Sequence, residues 1–185
     1  MKQSHTPEDI RVGREALAKE IGGLQSLSET LDGHFVAAVE LISNLKGRLI
    51  ISGMGKSGHV ARKIAATMAS TGTPAFFVHP GEASHGDLGM VQPEDGLLLL
   101  SNSGETSELR DMVAYGKRFR IPMIAMVRRK SSMLVDAADV PLVLPEIPEA
   151  SEVGAPTTST TMMMALGDAI AMALLERKGF TAEDF

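Results

Sequence analysis

Five short apolar runs punctuate this chain, and the stretches between them carry helical periodicity. They are Leu49-Ile50-Ile51, Phe76-Phe77-Val78, Leu97 to Leu100, Met123 to Val127, and Leu142-Val143-Leu144. A strand with no polar residue has no face to turn to water. Such strands, alternating with helices, predict a parallel sheet covered on both sides. The fold class is therefore α/β: a five-stranded parallel sheet flanked by helices. Ahead of it, residues 7–45 form a helical extension. Ile10, Leu17, Ile21, Leu24, Leu31 and Phe35 recur there at threes, fours and sevens, and Asp32-Gly33 divides it, with Asp32 as a cap. A helix through Val60, Ile64 and Met68 stops at Gly72, another follows Leu109, Met112, Val113 and Phe119, and a last one runs from Thr158 to Lys178. The 185 residues suit one domain over 1–185, with an α/β core from about 46 and no internal repeat.

In open parallel sheets, ligands sit beyond the carboxyl ends of the strands. Three polar stretches follow strands and should gather at that edge: Gly53 to Gly58, His79 to Asp87, and Ser101 to Thr106. The last reads Ser101-Asn102-Ser103-Gly104-Glu105-Thr106 and leads into a helix. Its hydroxyls, a small residue and the free N–H groups of a helix start suit a phosphate. The alternative is an ordinary cap, because Asn102 and Glu105 have capping-box spacing. Gly53-Met54-Gly55-Lys56-Ser57-Gly58 matches G-x-G-x-x-G. The nicotinamide reading lacks an acid at the end of the next strand, which closes Val78-His79-Pro80, and a nucleotide P-loop would need glycine where Ile50 stands. What is left is a turn that places Lys56, flanked by Gly55 and Ser57, at the sheet edge.

His79 and His85 stand six apart, without a further cluster of metal ligands. His85, beside Asp87, is the better placed to handle a proton, and His79 is either a site wall or a loop anchor. Glu108 lies just past the hydroxyl loop. Glu146, Glu149 and Glu152 precede Gly154-Ala155-Pro156-Thr157-Thr158-Ser159-Thr160-Thr161, a second helix start, and one acid of this group suits a general base. The chain has no cysteine, which excludes disulfide and thiolate chemistry, and a net charge of −5, which speaks against a nucleic-acid surface. An anionic ligand fits such a chain only where positive groups gather locally. Met1 to His5 lacks a signal-peptide core, no stretch reads as a bilayer span, and the expected location is cytoplasmic. Met162-Met163-Met164 reads as core or interface filler.

Together these segments resemble the sugar isomerase (SIS) domain family. The pieces are Gly53 to His59, Ala65 to Pro74, Phe77 to Met90, Ser101 to Glu105, Ala155 to Thr161 and Gly179 to Phe185. The run His79-Pro80-Gly81-Glu82-Ala83-Ser84-His85-Gly86-Asp87-Leu88-Gly89-Met90 is narrower than the rest and points to the D-arabinose 5-phosphate isomerase branch. The resemblance implies a flavodoxin-like three-layer sandwich, a homotetramer with sites at subunit contacts, and no cofactor. The implied reaction interconverts D-ribulose 5-phosphate and D-arabinose 5-phosphate through an enediol, feeding 3-deoxy-octulosonate and lipopolysaccharide synthesis. By matching positions, Lys56, Glu108 and Glu149 become catalytic and His85 contacts substrate. Gly72, Thr73 and His79 line the pocket, with His79 a place where an adventitious metal can settle, and Ser101, Ser103 and Thr106 hold the phosphate. The family's usual Cys-Pro-Leu-Gly-Leu is replaced by Ser151-Glu152-Val153-Gly154, which leaves Glu152 as a rival to Glu149. The family's further histidine, in a Ser-His-Pro-Gly-Gly run, and two regulatory CBS modules would come after Phe185, where this sequence stops. A 6-phospho-3-hexuloisomerase is the nearest alternative enzyme, and a non-catalytic sugar-phosphate sensor the alternative of another class.

Overall fold

The computed structural model describes residues 6–179. The start of the chain and the Phe180–Phe185 part of the family resemblance lie outside the described residues. Two helices, α1 (Thr6–Glu29) and α2 (Gly33–Ser43), precede the sheet. Asp32 separates them as expected, its carboxylate accepting the His34 N–H at 2.8 Å. Then follow β1 (Leu49–Gly53), α3 (Gly55–Ser70), β2 (Ala75–Phe77), α4 (Pro80–Ser84), a 3-10 turn at Asp87–Met90 and β3 (Gly96–Leu100). After a second 3-10 turn at Ser107–Leu109 come α5 (Arg110–Phe119), β4 (Met123–Val127), α6 (Met133–Ala137), β5 (Val140–Val143) and α7 (Thr158–Lys178). The five strands are all parallel, in the order β2-β1-β3-β4-β5.

Alternation along the strands builds two cores. Leu49, Ile51, Leu98, Leu100, Ile124 and Met126 face α2, α3 and α7. Ile50, Leu97, Leu99, Met123, Ala125 and Val127 face α4, α5 and α6. The three central strands are buried at every position, which is why they read as unbroken apolar runs. The two edge strands are shifted by a residue or two from the apolar runs, since edge pairing stops earlier on one side. Their flanks still join the ladder: the Val78 N–H donates to Ile51 O and the Leu144 N–H to Val127 O. Edge strand β2 lies under two guanidinium groups, Arg48 over Phe76 at 4.8 Å and Arg62 over Phe77 at 4.0 Å from the ring centroids.

Three expectations change. Helix α7 does have the length and mean hydropathy (1.3) of a membrane span. Its apolar side is spent on the core, where Met162, Met163, Leu166, Ile170 and Leu174 are buried, and Asp168 pairs with Lys63 of α3. Phe119, which fits the periodic apolar face of α5, instead lies 41 % exposed against Tyr115. The stripe on α1 is helical but faces outward: Ile10, Leu17 and Ile21 are 49–63 % exposed, and only the end of the helix, around Gly23 and Leu27, meets the core.

The start of α3 is pressed onto β1. A Cβ on Gly58 would lie 2.5 Å from Gly53 O, inside any allowed contact. Two glycines of the G-x-G-x-x-G pattern therefore serve strand–helix packing, which needs no nucleotide. We expect Gly58→Ala to lower unfolding stability by about 1–3 kcal/mol. Gly22→Ala, on the open side of α1 with nothing within 4 Å, should raise it by up to about 1 kcal/mol. Urea titration checks both.

Candidate active site

Three strand ends deliver their loops to one edge, as parallel topology requires. After β1 the chain turns at once into α3. Its N-cap, Met54, supplies no side-chain acceptor, so the N–H groups of Gly55, Lys56 and Ser57 have no side-chain cap. Lys56 is exposed in this first turn. After β3, residues 101–106 form a compact turn. The buried Ser101 hydroxyl lies 2.7 Å from the Thr106 hydroxyl and 3.4 Å from that of Ser103, so three hydroxyls converge. Ser101 Oγ also accepts the Gly104 N–H at 3.0 Å, and Ser103 Oγ the Glu105 N–H at 3.2 Å.

The capping-box expectation for Asn102 and Glu105 fails. No helix begins at Asn102; the next turn of helix starts after Thr106. Glu105 reaches across to α6 and accepts the Met133 N–H at 2.9 Å. Gly104 is left-handed (φ +71°), and a side chain there would run into Ser132. The turn is thus locked by α6.

A cleft of about 180 Å³ is lined by Met54, Lys56, Ser57, Asn102, Pro156, Ser159, Thr160 and Met163. It lies between the starts of α3 and α7 and the Ser101–Thr106 turn. Asn102 Oδ1 is enclosed beside it without a hydrogen-bond partner. Thr157, Ser159 and Thr160 lie outside the set singled out from sequence; the signal was the threonine run, legible only as a helix start.

Glu149 closes this group. Its Oε2 accepts the Thr157 N–H at 2.8 Å, the Ser159 N–H at 3.2 Å and the Thr157 hydroxyl at 3.2 Å. The carboxylate takes the place of a side-chain N-cap on the 21-residue α7, which Thr157 does not provide. Partial burial pushes the Glu149 carboxyl up. The Ser159 hydroxyl beside it, the Thr157 and Ser159 N–H groups and the Thr157 hydroxyl outweigh that and hold it below its ordinary value. Glu152 lies exposed in the turn 151–154, with no hydrogen bond or ion pair among the described residues. Glu108, exposed after Thr106, accepts the Ser107 hydroxyl at 2.8 Å; its own N–H, then that hydroxyl, lower its carboxyl.

The stretch after β2 is more ordered than a loop. His79 caps α4, its Nδ1 accepting the Gly81 N–H at 3.2 Å, with Pro80 in the first turn. That bond makes His79 a loop anchor and engages one ring nitrogen. His85 ends α4, exposed, and α4 packs against α5 and the turn that carries Glu108. Gly72 and Thr73 stand apart. They follow α3 and precede β2, at the amino end of the sheet, where Leu49 N–H donates to Pro74 O. Lys178 holds them there, donating to Gly72 O at 2.6 Å and Thr73 Oγ1 at 2.8 Å. Within one chain they do not join the cleft.

Comparison with known proteins agrees with this architecture. The arabinose 5-phosphate isomerase KdsD of Escherichia coli O157:H7 is 51 % identical over 176 residues, covering 95 % of this chain and 54 % of that protein. The protein of the same name from Pseudomonas aeruginosa is 48 % identical, over 100 % of this chain and 57 % of its own length. The chain thus spans about half the length of the curated relatives it matches. Among solved structures, an Escherichia coli CFT073 protein in complex with arabinose 5-phosphate superposes with a TM-score of 0.93 at 38 % identity, covering 97 % of this chain and 96 % of that one. The SIS domain model matches residues 41–173, from within α2 to within α7, and so takes in all five strands and every loop of the cleft. By fold, by sequence and by the loops it brings to one edge, this chain belongs to the SIS domain family.

Proposed function

We propose that this chain carries the catalytic domain of an aldose–ketose isomerase that interconverts D-arabinose 5-phosphate and D-ribulose 5-phosphate. One observation carries the reading: the cleft lined by Lys56, Asn102 and Ser159 is bordered by the segments that hold the three convergent hydroxyls, next to Asn102, and the helix-held Glu149 carboxylate, bonded to the Ser159 N–H. The identity to the arabinose 5-phosphate isomerases supports the choice of substrate.

In this reading Ser101, Ser103 and Thr106 hold the phosphate, with the free N–H groups of α3 close by. Isomerisation removes a proton from carbon 2 of the aldose and returns one to carbon 1. The Glu149 carboxylate carries that proton, its Oε2 fixed by α7 and its Oε1 without a hydrogen bond among the described residues. Lys56 faces the oxygens on which charge grows in the enediolate. Glu108 or His85 moves the proton between those two oxygens. No step needs a redox cofactor or a metal. Gly72 and Thr73 enter such a site only from a neighbouring copy, in keeping with the proposed homotetramer. The outward stripe of Ile10, Leu17 and Ile21 supports self-association. A cytoplasmic location and a place in 3-deoxy-octulosonate supply complete the proposal.

The decisive assay is formation of ribulose 5-phosphate from arabinose 5-phosphate by the purified protein. Binding without turnover would replace the isomerase by a sensor. Glu149→Gln should lower kcat about 10²- to 10⁴-fold while Glu152→Gln leaves it unchanged; the reverse result would make Glu152 the base. Ser103→Ala should raise KM with little change in kcat, as loss of uniform binding does. Because its folded carboxyl is held low, Glu149 also contributes stability that is present above its unfolded pKa and lost as pH falls through the folded one. The stability gap between wild type and Glu149→Gln should therefore close in acid, which denaturant titrations at several pH values will read.

A further inference from the structure

One hydroxyl near the cleft has a job that neither the fold nor a phosphate explains. Thr157 precedes α7 but does not cap it; no backbone N–H of that helix reaches its side chain. Instead Thr157 Oγ1 accepts the Ala150 N–H at 2.9 Å and donates to Glu149 Oε2 at 3.2 Å. The hydroxyl thus links the residue after Glu149 to the carboxylate itself. The Thr157 N–H binds the same oxygen at 2.8 Å. One residue therefore fixes both the backbone that carries Glu149 and the side chain at its tip.

We propose that Thr157 is a positioning residue for the isomerisation, orienting the Glu149 carboxylate so that Oε1 alone is presented to the substrate carbons. This rests on the reading of Glu149 as the carbon base. A carboxylate whose Oε2 is tied by three donors cannot swing to exchange its oxygens. Proton transfer between adjacent carbons rewards that restraint, because one oxygen must reach both. The donors also stabilise the charged form of the base.

Other charged groups lie on the elements packed around the Glu149 segment. Lys19 of α1 donates to Ala150 O at 3.2 Å. Lys56 of α3 lines the cleft, and Arg128, after β4, reaches Ile147 O at 3.5 Å. Glu146 and Glu152 flank Glu149 on its own segment. A change of the Thr157 hydroxyl alters none of them.

The test compares Thr157→Val, Thr157→Ala and Thr157→Ser with wild type in kcat/KM against pH. Valine and alanine should lower kcat/KM about ten- to a hundredfold and move its acid limb to higher pH, because the charged base has lost a donor. Serine should restore both. The alanine variant serves if valine disturbs folding, and the limb position is independent of how much protein is active. An unmoved acid limb in both variants, or serine as impaired as valine, would overturn the proposal. If Glu149→Gln is itself fully active, the reading of the base fails; if that variant is inactive and Thr157→Ala behaves as wild type, only the present inference fails.

Discussion

The contact between Gly53 and the first turn of α3 governs the rest. Strand and helix approach so closely that no side chain fits between them at Gly58. This sets α3 down directly on the sheet, so its uncapped start stands at the carboxyl end of β1 with Lys56 at the rim. The neighbouring strand β3 pairs with β1 in register, Gly53 beside Leu100, and so releases Ser101 at the same level. Helix α7 packs against α3 and brings its own start, to which Glu149 is bonded, to the third side of the cleft. The site follows from three elements being packed, and no loop has to be long.

In the proposed reading, an acidic chain that takes an anion must gather positive groups locally. Here part of that task falls to backbone dipoles. The uncapped start of α3 offers N–H groups, and the hydroxyl turn adds neutral donors. The start of α7 is used differently: it is closed by a carboxylate, which it holds in the ionised form. Two helix starts, one open and one occupied by the protein's own acid, thus give adjacent regions of opposite preference. A molecule with a phosphate at one end and an acidic C–H at the other matches that division.

The strands were legible because each central one is buried on both faces and is almost wholly apolar, Ser52 at the end of β1 being the exception, its hydroxyl donating to Val78 O. The helix break at Asp32 and the limits of α7 were legible from local capping chemistry. What sequence hid was the partner of each polar group. Glu105 has the spacing to cap its own turn but binds α6, 28 residues on. Glu149 and Thr157 are eight residues apart, and only folding makes the second a donor to the first. Glu149 and Glu152 are alike on the page, yet one is held by three donors and the other faces water. Gly72 and Thr73 belong to a familiar motif, but the run of α3 carries them to the opposite end of the sheet. The hydropathy of α7 likewise cannot tell a core helix from a span, because both bury apolar side chains.

The guanidinium groups of Arg48 and Arg62 above Phe76 and Phe77 matter for how these molecules meet in a crowded solution. A bare outer strand with aromatic residues invites another chain to zip onto it. At β2 the strand is three residues long, and any incoming strand would have to settle beside two fixed cations that want hydration. That border of the sheet is thereby guarded against runaway stacking.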